Sequence, residues 1–295
     1  MSRRRRVLLF VPVFTDRFLA KAHERKADGI ILDLEDAIAP SLKQEAREKL
    51  ATAAGTLATN RLEVWVRVNH LAELLEADLS ASVLPGVYGV IVPKVESRAE
   101  LEAVDRHLTR FEQERGLAAG RIKVAAILET PAGILAAPSF AGVPRLCALT
   151  VGAEDLAAAF GVLPTGAFMR WPAQFVATAA VAQGLEAWGL AGSVANFSRL
   201  PQYERSVRLS FALGLSTILC IHPAQVTIVR KVLTPHPKTL AWAREAVSRY
   251  EASLQRGEGS IAFEGEMIDA PVYAQAKHIV ARASDAGMLD APECA

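Results

Sequence analysis

Cysteine is scarce in this chain, and its copies show no paired spacing. There are three, namely Cys147, Cys220 and Cys294. An odd number without short, repeated spacings argues against a disulfide framework and against a structural zinc site. Cys147 and Cys220 fall inside apolar runs, which predicts buried and unreactive thiols. Small scaffolds that depend on cross-links are therefore excluded.

An excess of one charge and long apolar runs are also missing. With 33 basic and 32 acidic residues the formal net charge is +1, so nothing drives the chain as a whole towards nucleic acid or an anionic membrane. The basic run Arg3–Arg6 predicts a solvated tail. The apolar run 7–13 behind it is too short for a membrane span, and no small-residue cleavage site follows it. We expect a cytoplasmic protein that binds neither membrane nor nucleic acid.

The sequence does contain a regular series of short, apolar, β-rich runs. Their near-continuous apolar character is typical of parallel strands that are covered on both faces. The eight runs are 7–13, 29–35, 63–69, 89–96, 123–129, 146–152, 190–197 and 216–223. Helical patterns lie between several of these runs. They are 43–54, 98–113, 175–188 and 203–213.

Eight strands that alternate with helices predict an α/β fold, the TIM (β/α)₈ barrel, whose typical size is about 250 residues. A doubly wound open sheet is the alternative, but neither GxGxxG nor GxxxxGK[ST] follows the first run, which disfavours a nucleotide-binding version. We assign the catalytic barrel to residues 1–235. Residues 236–295 then form a C-terminal helical extension, a lid that packs on the barrel or on a neighbouring subunit.

Polar side chains appear where the apolar runs end. In a TIM barrel the chemistry takes place at these carboxyl ends of the strands. The polar residues found there are Glu35, Asp36, Arg67, Asn69, Lys94, Glu96, Glu129, Glu154, Asp155, Asn196 and His222. A purely structural barrel would not need so many carboxylates on one rim, so we expect a functional site there.

Glu129 and Asp155 are the natural metal ligands of this set. One or two carboxylates, with water and substrate completing an octahedron, are typical of Mg²⁺, and no histidine or cysteine cluster favours zinc. Arg67 could hold a carboxylate in a bidentate pair at the same rim. For any single residue, a helix cap or a turn is the alternative. That alternative is a good one for Asp36 and for Asp269, which precedes Ala-Pro as an N-cap does.

Several motifs, taken in their order along the chain, resemble the citrate lyase β-subunit-like family of the HpcH/HpaI aldolase group. They are RVLLFVP (6–12), DGIILDLEDAIAP (28–40), VRVN (66–69), VPKVES (92–97), ILETPAGI (127–134), VGAEDLAAAFG (151–161) and IHPAQV (221–226). A further segment, AFEGEMIDAPVYAQA (262–276), looks like the C-terminal segment of malyl-CoA and citramalyl-CoA lyases. The resemblance thus covers nearly the whole chain.

The resemblance implies a magnesium-dependent carbon–carbon lyase on a TIM barrel. Its substrate would be a β-hydroxyacyl-CoA thioester, malyl-CoA or citramalyl-CoA, cleaved to acetyl-CoA and glyoxylate or pyruvate. Mg²⁺, or Mn²⁺ in its place, would be held by Glu129 and Asp155, with Glu35 and Asp36 close by through water as catalytic groups. Arg67 would bind the carboxylate of the substrate.

The same resemblance implies contributions from both ends of the chain. Asp269 would be the catalytic acid/base group and would reach the site of a neighbouring subunit in a homotrimer or hexamer. Arg17 and Lys21 would lie near the phosphates of CoA.

Three other functions are open at this point. A class II aldolase acting on free hydroxy-oxo acids would share the barrel and the metal carboxylates but lack the segment around Asp269. A subunit that has lost catalysis would not need Arg67, Glu129, Asp155 and Asp269 together. The third alternative is a lyase for a citryl thioester, as in the β subunit of citrate lyase.

Overall fold

The computed structural model describes residues 5–60, 62–286 and 288, and its first unit, up to Val229, is built on eight parallel strands. Their order in the sheet is β7-β6-β5-β4-β3-β2-β1-β8. Strands β1 to β8 are Val7–Val11, Gly29–Asp33, Glu63–Arg67, Gly89–Val92, Lys123–Leu128, Leu146–Val151, Glu186–Gly189 and Ile218–Cys220. Because a bridge between Trp188 and Thr217 connects β7 to β8, the two ends of this order, the sheet closes as the predicted TIM barrel and is not the doubly wound alternative.

The junction between β7 and β8 closes the barrel with few contacts. A single bridge joins Trp188 to Thr217. The amide of Gly189 donates to Thr217 O at 2.9 Å, and the amide of Ser216 donates to Ala187 O at 2.6 Å. All other neighbouring strands share registers of three to five residue pairs.

Helices connect the strands on the outside of the barrel. Helices α1 to α9 are Asp16–Ala20, Lys43–Thr59, Ala72–Ser82, Arg98–Glu114, Pro131–Ala136, Ala153–Ala159, Gly166–Ala182, Leu200–Ala212 and Pro223–Leu233. Helix α4 illustrates why they form. Ser97 caps it by accepting a hydrogen bond from the Glu100 amide, and Leu101, Val104 and Leu108 recur at helical spacing and are fully or almost fully buried.

The seventh strand was predicted in the wrong place. The chain forms β7 at Glu186–Gly189, and residues 190–197 form the loop that follows it. The helix expected over 175–188 instead spans Gly166–Ala182. Gly184 explains the difference, because it adopts a φ of +70° and ends the helix, while the Leu185 amide bonds back to Ala180 O at 2.9 Å.

Arg5 does not belong to a solvated tail. It is 6% exposed and closes the N-terminal end of the barrel, where its guanidinium pairs with Glu63 and lies 2.6 Å from Glu186. The ring of Tyr88 stacks under it at 4.7 Å. Arg3 and Arg4 lie outside the described residues. The prediction failed because β3 and β7 both begin with a glutamate, and only the fold brings these two carboxylates together.

The cysteines in the barrel are largely as expected. Cys220 is fully buried in β8. Cys147 is partly buried, donates its Sγ–H to Val124 O at 3.3 Å, and burial raises the pKa of its thiol to about 12. A thiol with this pKa is protonated at neutral pH and unreactive. Cys294 lies outside the described residues.

The second unit, from Arg230 onwards, contains two helices and a hairpin. Its helices are α10 at Pro237–Gln255 and α11 at Ala270–Asp285, and between them β9 (Ile261–Phe263) pairs antiparallel with β10 (Glu266–Ile268). Ala243, Tyr250, Phe263 and Ile268 form its apolar core. The sequence predicted a helical extension here, but it did not predict the hairpin between the two helices. In the residues that the structure describes, no helix is long and apolar enough to cross a membrane.

Candidate active site

A cavity of about 500 Å³ opens at the carboxyl ends of the barrel strands. Five of the residues predicted at this rim line it, namely Asp36, Arg67, Glu129, Glu154 and Asp155. Glu35 joins them through Arg67, whose Nη1 lies 2.9 Å from its Oε2. These six side chains come from the ends of four different strands or the loops after them, as the sequence predicted.

Three other polar residues predicted at this rim do not join the cluster. Glu96 is exposed and bonds through its amide to Glu100. Asn196 lines a separate, smaller pocket beside α7 and α8. His222 caps α9, since its Nδ1 accepts from the Ala224 amide at 3.1 Å.

Arg67 is held by a carboxylate that the sequence reasoning missed. Its Nε donates to Asp33 Oδ1 at 2.8 Å and its Nη2 donates to Asp33 Oδ2 at 2.7 Å, a bidentate pair. A further contact, from Nη1 to the more exposed Asp36, is longer at 3.3 Å. Alternation along β2 could have revealed Asp33, because residues two apart share one face of a strand and Glu35 lies two residues later.

Burial by itself lowers the pKa of Arg67, but the bond to Asp33 and the charges of Glu35 and Asp36 outweigh it. The pKa of Arg67 therefore lies above its ordinary value, and the guanidinium is charged at any working pH. It stays available as a donor to a substrate carboxylate.

Glu35 is buried and incompletely paired. It is 5% exposed, and burial raises its pKa, with Arg67 opposing and Asp36 adding to the shift. Lys94 Nζ donates to its Oε1 at 3.3 Å. Its Oε2 has no hydrogen-bond partner among the described residues, because Arg67 Nη1 at 2.9 Å is unfavourably oriented. This oxygen is one that a bound water or ligand would satisfy.

A buried lysine fixes the loop that carries Glu35. Lys43 Nζ donates to Leu34 O and Glu35 O, both at 2.7 Å, and to Asn69 Oδ1 at 2.8 Å. Asn69 in turn donates to Asp78 Oδ2 at 2.6 Å. The loop after β2 is therefore pinned to the loop after β3, and the acidic side chains on it are held in place before any ligand arrives.

Glu129 stands at the end of β5, directly before the capped helix α5. Thr130 accepts from the Gly133 amide at 3.0 Å, and Pro131 occupies the first helical turn, so the strand stops at this point. Glu129 is 8% exposed, and its Oε1 accepts from the Lys94 amide at 3.0 Å. To present that amide, Lys94 adopts a φ of +53°, which is unusual for a residue with a side chain.

Asp155 lies in the first turn of α6, where a helix favours negative charge. Lys94 Nζ lies 3.1 Å from its Oδ2 and 3.3 Å from Glu35 Oε1, so one ammonium bridges two carboxylates. Burial lowers the pKa of Lys94, but these acidic partners outweigh burial and raise it.

Gly152 directly follows β6 and allows the end of that strand to approach Glu129 closely. A methyl group at this position would lie 2.5 Å from Glu129 Cβ and 2.6 Å from Glu129 Oε2. No other residue has room there, since such distances are well inside van der Waals contact. The glycine therefore leaves the Glu129 carboxylate open towards the cavity.

The cluster carries more negative than positive charge. Asp33, Glu35, Asp36, Glu129 and Asp155 face Arg67 and Lys94, which makes five carboxylates against two cations. Burial, and then the charges of Glu35 and Asp155, raise the pKa of Glu129 to about 7. A divalent cation at this point would offset the excess and restore Glu129 to its charged form.

The donor set fits magnesium better than a metal that needs a complete protein cage. Among the described residues, no group of three or more His, Cys, Asp or Glu side chains is arranged to hold a metal ion. Mg²⁺ asks for only one or two carboxylates and keeps water and substrate oxygens as its other ligands. Glu129 and Asp155, both lining the cavity, could supply these.

The remaining predicted residues lie elsewhere in the chain. Arg17 and Lys21 are exposed, at and just after α1, and neither lines the cavity. Asp269 belongs to the second unit and caps α11, where its Oδ1 accepts from the Val272 amide at 3.2 Å. The cap alternative for Asp269 is thus realised, and it uses one of the two carboxylate oxygens.

Known proteins are similar to this chain over nearly its whole length. A model of the HpcH/HpaI aldolase/citrate lyase family matches residues 6–223. The citrate lyase subunit beta-like protein of Deinococcus radiodurans is 34% identical, covering 93% of this chain and 96% of that protein. An L-malyl-CoA/beta-methylmalyl-CoA lyase of Cereibacter sphaeroides is 31% identical, covering 96% of this chain and 95% of that enzyme.

A solved structure is similar in fold as well. It is the CitE protein of Mycobacterium tuberculosis in complex with magnesium, acetoacetate and coenzyme A, with a TM-score of 0.77 and 28% identity. The match covers 96% of this chain and all of that one.

Proposed function

As this chain belongs to the HpcH/HpaI aldolase/citrate lyase family and is a lyase, we propose that it is a Mg²⁺-dependent carbon–carbon lyase for a β-hydroxyacyl-CoA. Its substrate is malyl-CoA or citramalyl-CoA, and its products are acetyl-CoA and glyoxylate or pyruvate. The observation that carries the proposal is the cavity at the strand ends, where Glu129 and Asp155 lie in a cluster with excess negative charge next to a paired arginine. Binding of magnesium and coenzyme A by the similar CitE protein supports it.

Glu129 and Asp155 would hold Mg²⁺, or Mn²⁺ in its place, and Glu35 and Asp36 would contact it through water. When bound, the metal supplies a positive charge that stabilises the negative charge developing on the substrate's hydroxyl oxygen. Lys94 keeps Glu35 and Asp155 in position, and its amide fixes Glu129.

Arg67 would bind the carboxylate next to the hydroxyl of the substrate. Asp33 holds the guanidinium plane from one side by two bonds. The contact to Asp36 is the longest of its ion pairs, at 3.3 Å, and Asp36 is 65% exposed. A substrate carboxylate can therefore replace Asp36 at Nη1 without disturbing the pair that orients Arg67.

Cleavage needs one proton to leave the hydroxyl and one to reach the acetyl carbon. A base removes the hydroxyl proton, the bond between the α and β carbons breaks, and the enolate of the acetyl thioester takes up a proton. We assign the acid/base role to Asp269, whose free carboxylate oxygen is not used in the helix cap. Asp269 would act on a neighbouring subunit's site, with the C-terminal extension as its lid, in a homotrimer or hexamer.

The CoA moiety would extend over the exposed surface after β1. Arg17 and Lys21 are exposed cations there, and phosphate groups bind such side chains through charge-assisted hydrogen bonds. They would hold the phosphates of CoA while the acyl group enters the cavity.

A citryl thioester is the second candidate substrate. A citrate lyase subunit beta of Haemophilus influenzae is 31% identical to this chain, which favours it. Citryl cleavage gives oxaloacetate, which carries a second carboxylate, so the choice between the two candidates depends on how the cavity accommodates that group.

The test is release of acetyl-CoA from malyl-CoA, citramalyl-CoA and citryl-CoA, with Mg²⁺ and with EDTA. Glu129→Gln should abolish the response to Mg²⁺, and Asp269→Asn should lower kcat by about 10²–10⁴-fold, the usual contribution of a general acid/base. Glu102→Gln is the matched control, because Glu102 forms only a half-exposed pair with Arg98 on α4. Folded, Mg²⁺-binding wild type that cleaves none of the three thioesters would contradict the proposal.

A further inference from the structure

The cavity at the strand ends has an apolar floor with one hydroxyl in it. Phe10, Ile127 and Leu219 line the cavity from β1, β5 and β8. Thr150 lines it from β6, where it is the register partner of Ile127. Because Ile127 precedes Glu129 by two residues on the same face of its strand, Thr150 lies one layer deeper than the proposed metal ligand.

The hydroxyl of Thr150 is buried and lacks a partner. The residue is 3% exposed, and its Oγ1 makes no hydrogen bond with any described residue. Thr217 provides the comparison, since it is also fully buried but its Oγ1 donates to Arg5 O at 3.1 Å. Buried polar groups are nearly always paired, and an unpaired one is costly. The hydroxyl of Thr150 is therefore a group that a molecule entering the cavity would satisfy.

Among the described residues, the cation nearest this floor is Arg67, whose guanidinium lies 5.0 Å from the centroid of the Phe10 ring. Arg67 is the single cationic side chain among the described residues that line the cavity, and Asp33 already holds it by two bonds. Because the first carboxylate of the ligand would occupy Arg67, a second carboxylate would have to enter an apolar layer without a further cation to pair with, which is unfavourable. A ligand that carries a hydrogen atom or a methyl group in place of the second carboxylate fits that layer, provided that one of its oxygens faces Thr150.

We propose that Thr150 binds the substrate, by donating a hydrogen bond from its hydroxyl to an oxygen of the 2-oxo acid. The floor then selects acids with one carboxylate, such as glyoxylate or pyruvate, over oxaloacetate. The acid's hydrogen or methyl substituent contacts Phe10, Ile127 and Leu219. This inference rests on the proposed lyase function and makes Thr150 a residue that determines specificity in it.

The test is isothermal titration of the Mg²⁺-loaded protein with pyruvate, glyoxylate and oxaloacetate. Thr150→Val keeps the shape and removes the hydroxyl, so it should weaken pyruvate binding about tenfold, the usual worth of one hydrogen bond. Affinity for Mg²⁺ alone should not change, and Thr150→Ser should bind pyruvate like the wild type. Without ligand, Thr150→Val should melt at a higher temperature than the wild type, because an unpaired hydroxyl is gone.

Thr217→Val is the matched control. It removes a satisfied hydroxyl, so it should melt at a lower temperature and bind pyruvate normally. If Thr150→Val binds pyruvate as tightly as the wild type, the role of Thr150 is overturned. If the wild type binds oxaloacetate more tightly than pyruvate, the selection is overturned. A wild type that binds none of the three acids overturns the proposed function itself.

Discussion

Replacing Gly152 by alanine puts a methyl group against the carboxylate on which the proposed metal site depends. The new Cβ would lie 2.5 Å from Glu129 Cβ, 2.6 Å from Glu129 Oε2 and 3.0 Å from Ile127 Cγ2. The backbone itself accepts alanine, since φ at Gly152 is −92°. The whole effect is therefore steric, and because Glu129 Cβ is fixed by its strand, the two strand ends must move apart.

Overpacking of this kind costs about 1–3 kcal/mol of stability. The displaced carboxylate should also bind Mg²⁺ about tenfold or more weakly, since a loss of about 1.4 kcal/mol of binding free energy lowers the affinity by a factor of ten. Calorimetric titration with Mg²⁺ and urea unfolding followed by circular dichroism measure the two effects separately.

Gly55→Ala is the matched control. Gly55 is exposed in α2, and a methyl group there would meet nothing within 4 Å. This variant should gain about 0.5–1 kcal/mol, because alanine is the better helix former, and should bind Mg²⁺ normally. If Gly152→Ala keeps the stability and the Mg²⁺ affinity of the wild type, two assignments are refuted together: Glu129 as a metal ligand, and Gly152 as the residue that leaves its carboxylate open.

Two further predictions concern buried charges. The pKa of Glu129 is about 7 in the folded protein against 4.5 ordinarily, so between these pH values the folded state binds more protons than the unfolded state. The free energy of unfolding of the metal-free protein should therefore fall by about 3 kcal/mol as the pH rises from 4.5 to 7. Urea unfolding in EDTA at several pH values checks this, and an equal slope in Glu129→Gln would contradict it. Glu112 is fully buried and accepts from Arg145 Nη1 at 2.9 Å, so Glu112→Ala should lose about 3–5 kcal/mol, the cost of breaking a buried pair. The half-exposed Glu102 should change stability by about 0.5 kcal/mol or less on the same substitution, and equal losses in the two variants would refute the reasoning.

The barrel and its acidic rim could be predicted because both follow from local patterns. Apolar runs mark the buried strands, and the first polar residue after each run lies at the carboxyl end, so Glu129 and Asp155 could be placed together without knowing any distance. The roles proposed for these residues stay predictions, since they depend on a metal ion and a substrate and not only on contacts within the barrel.

The features that were missed depend on contacts between distant segments. Asp33 pairs with Arg67 across 34 positions, and Arg5 pairs with Glu186 across 181. Nothing next to either residue in the sequence announces its partner. The error at β7 has a local cause, because Gly184 ends the preceding helix and the strand after it is only four residues long.

The sparse junction between β7 and β8 makes one wall of the cavity more compliant than the rest. Gly189 lines the cavity and contributes one of the few hydrogen bonds of that junction. Arg67 ends a ladder of five residue pairs between β2 and β3, and Glu129 directly follows β5, which shares five pairs with β6. Regions with few backbone bonds adapt at the lowest energy. Under the proposed function, descendants of this enzyme can therefore acquire room for a larger acyl group on the β7–β8 side while the carboxylates proposed to perform the chemistry keep their geometry.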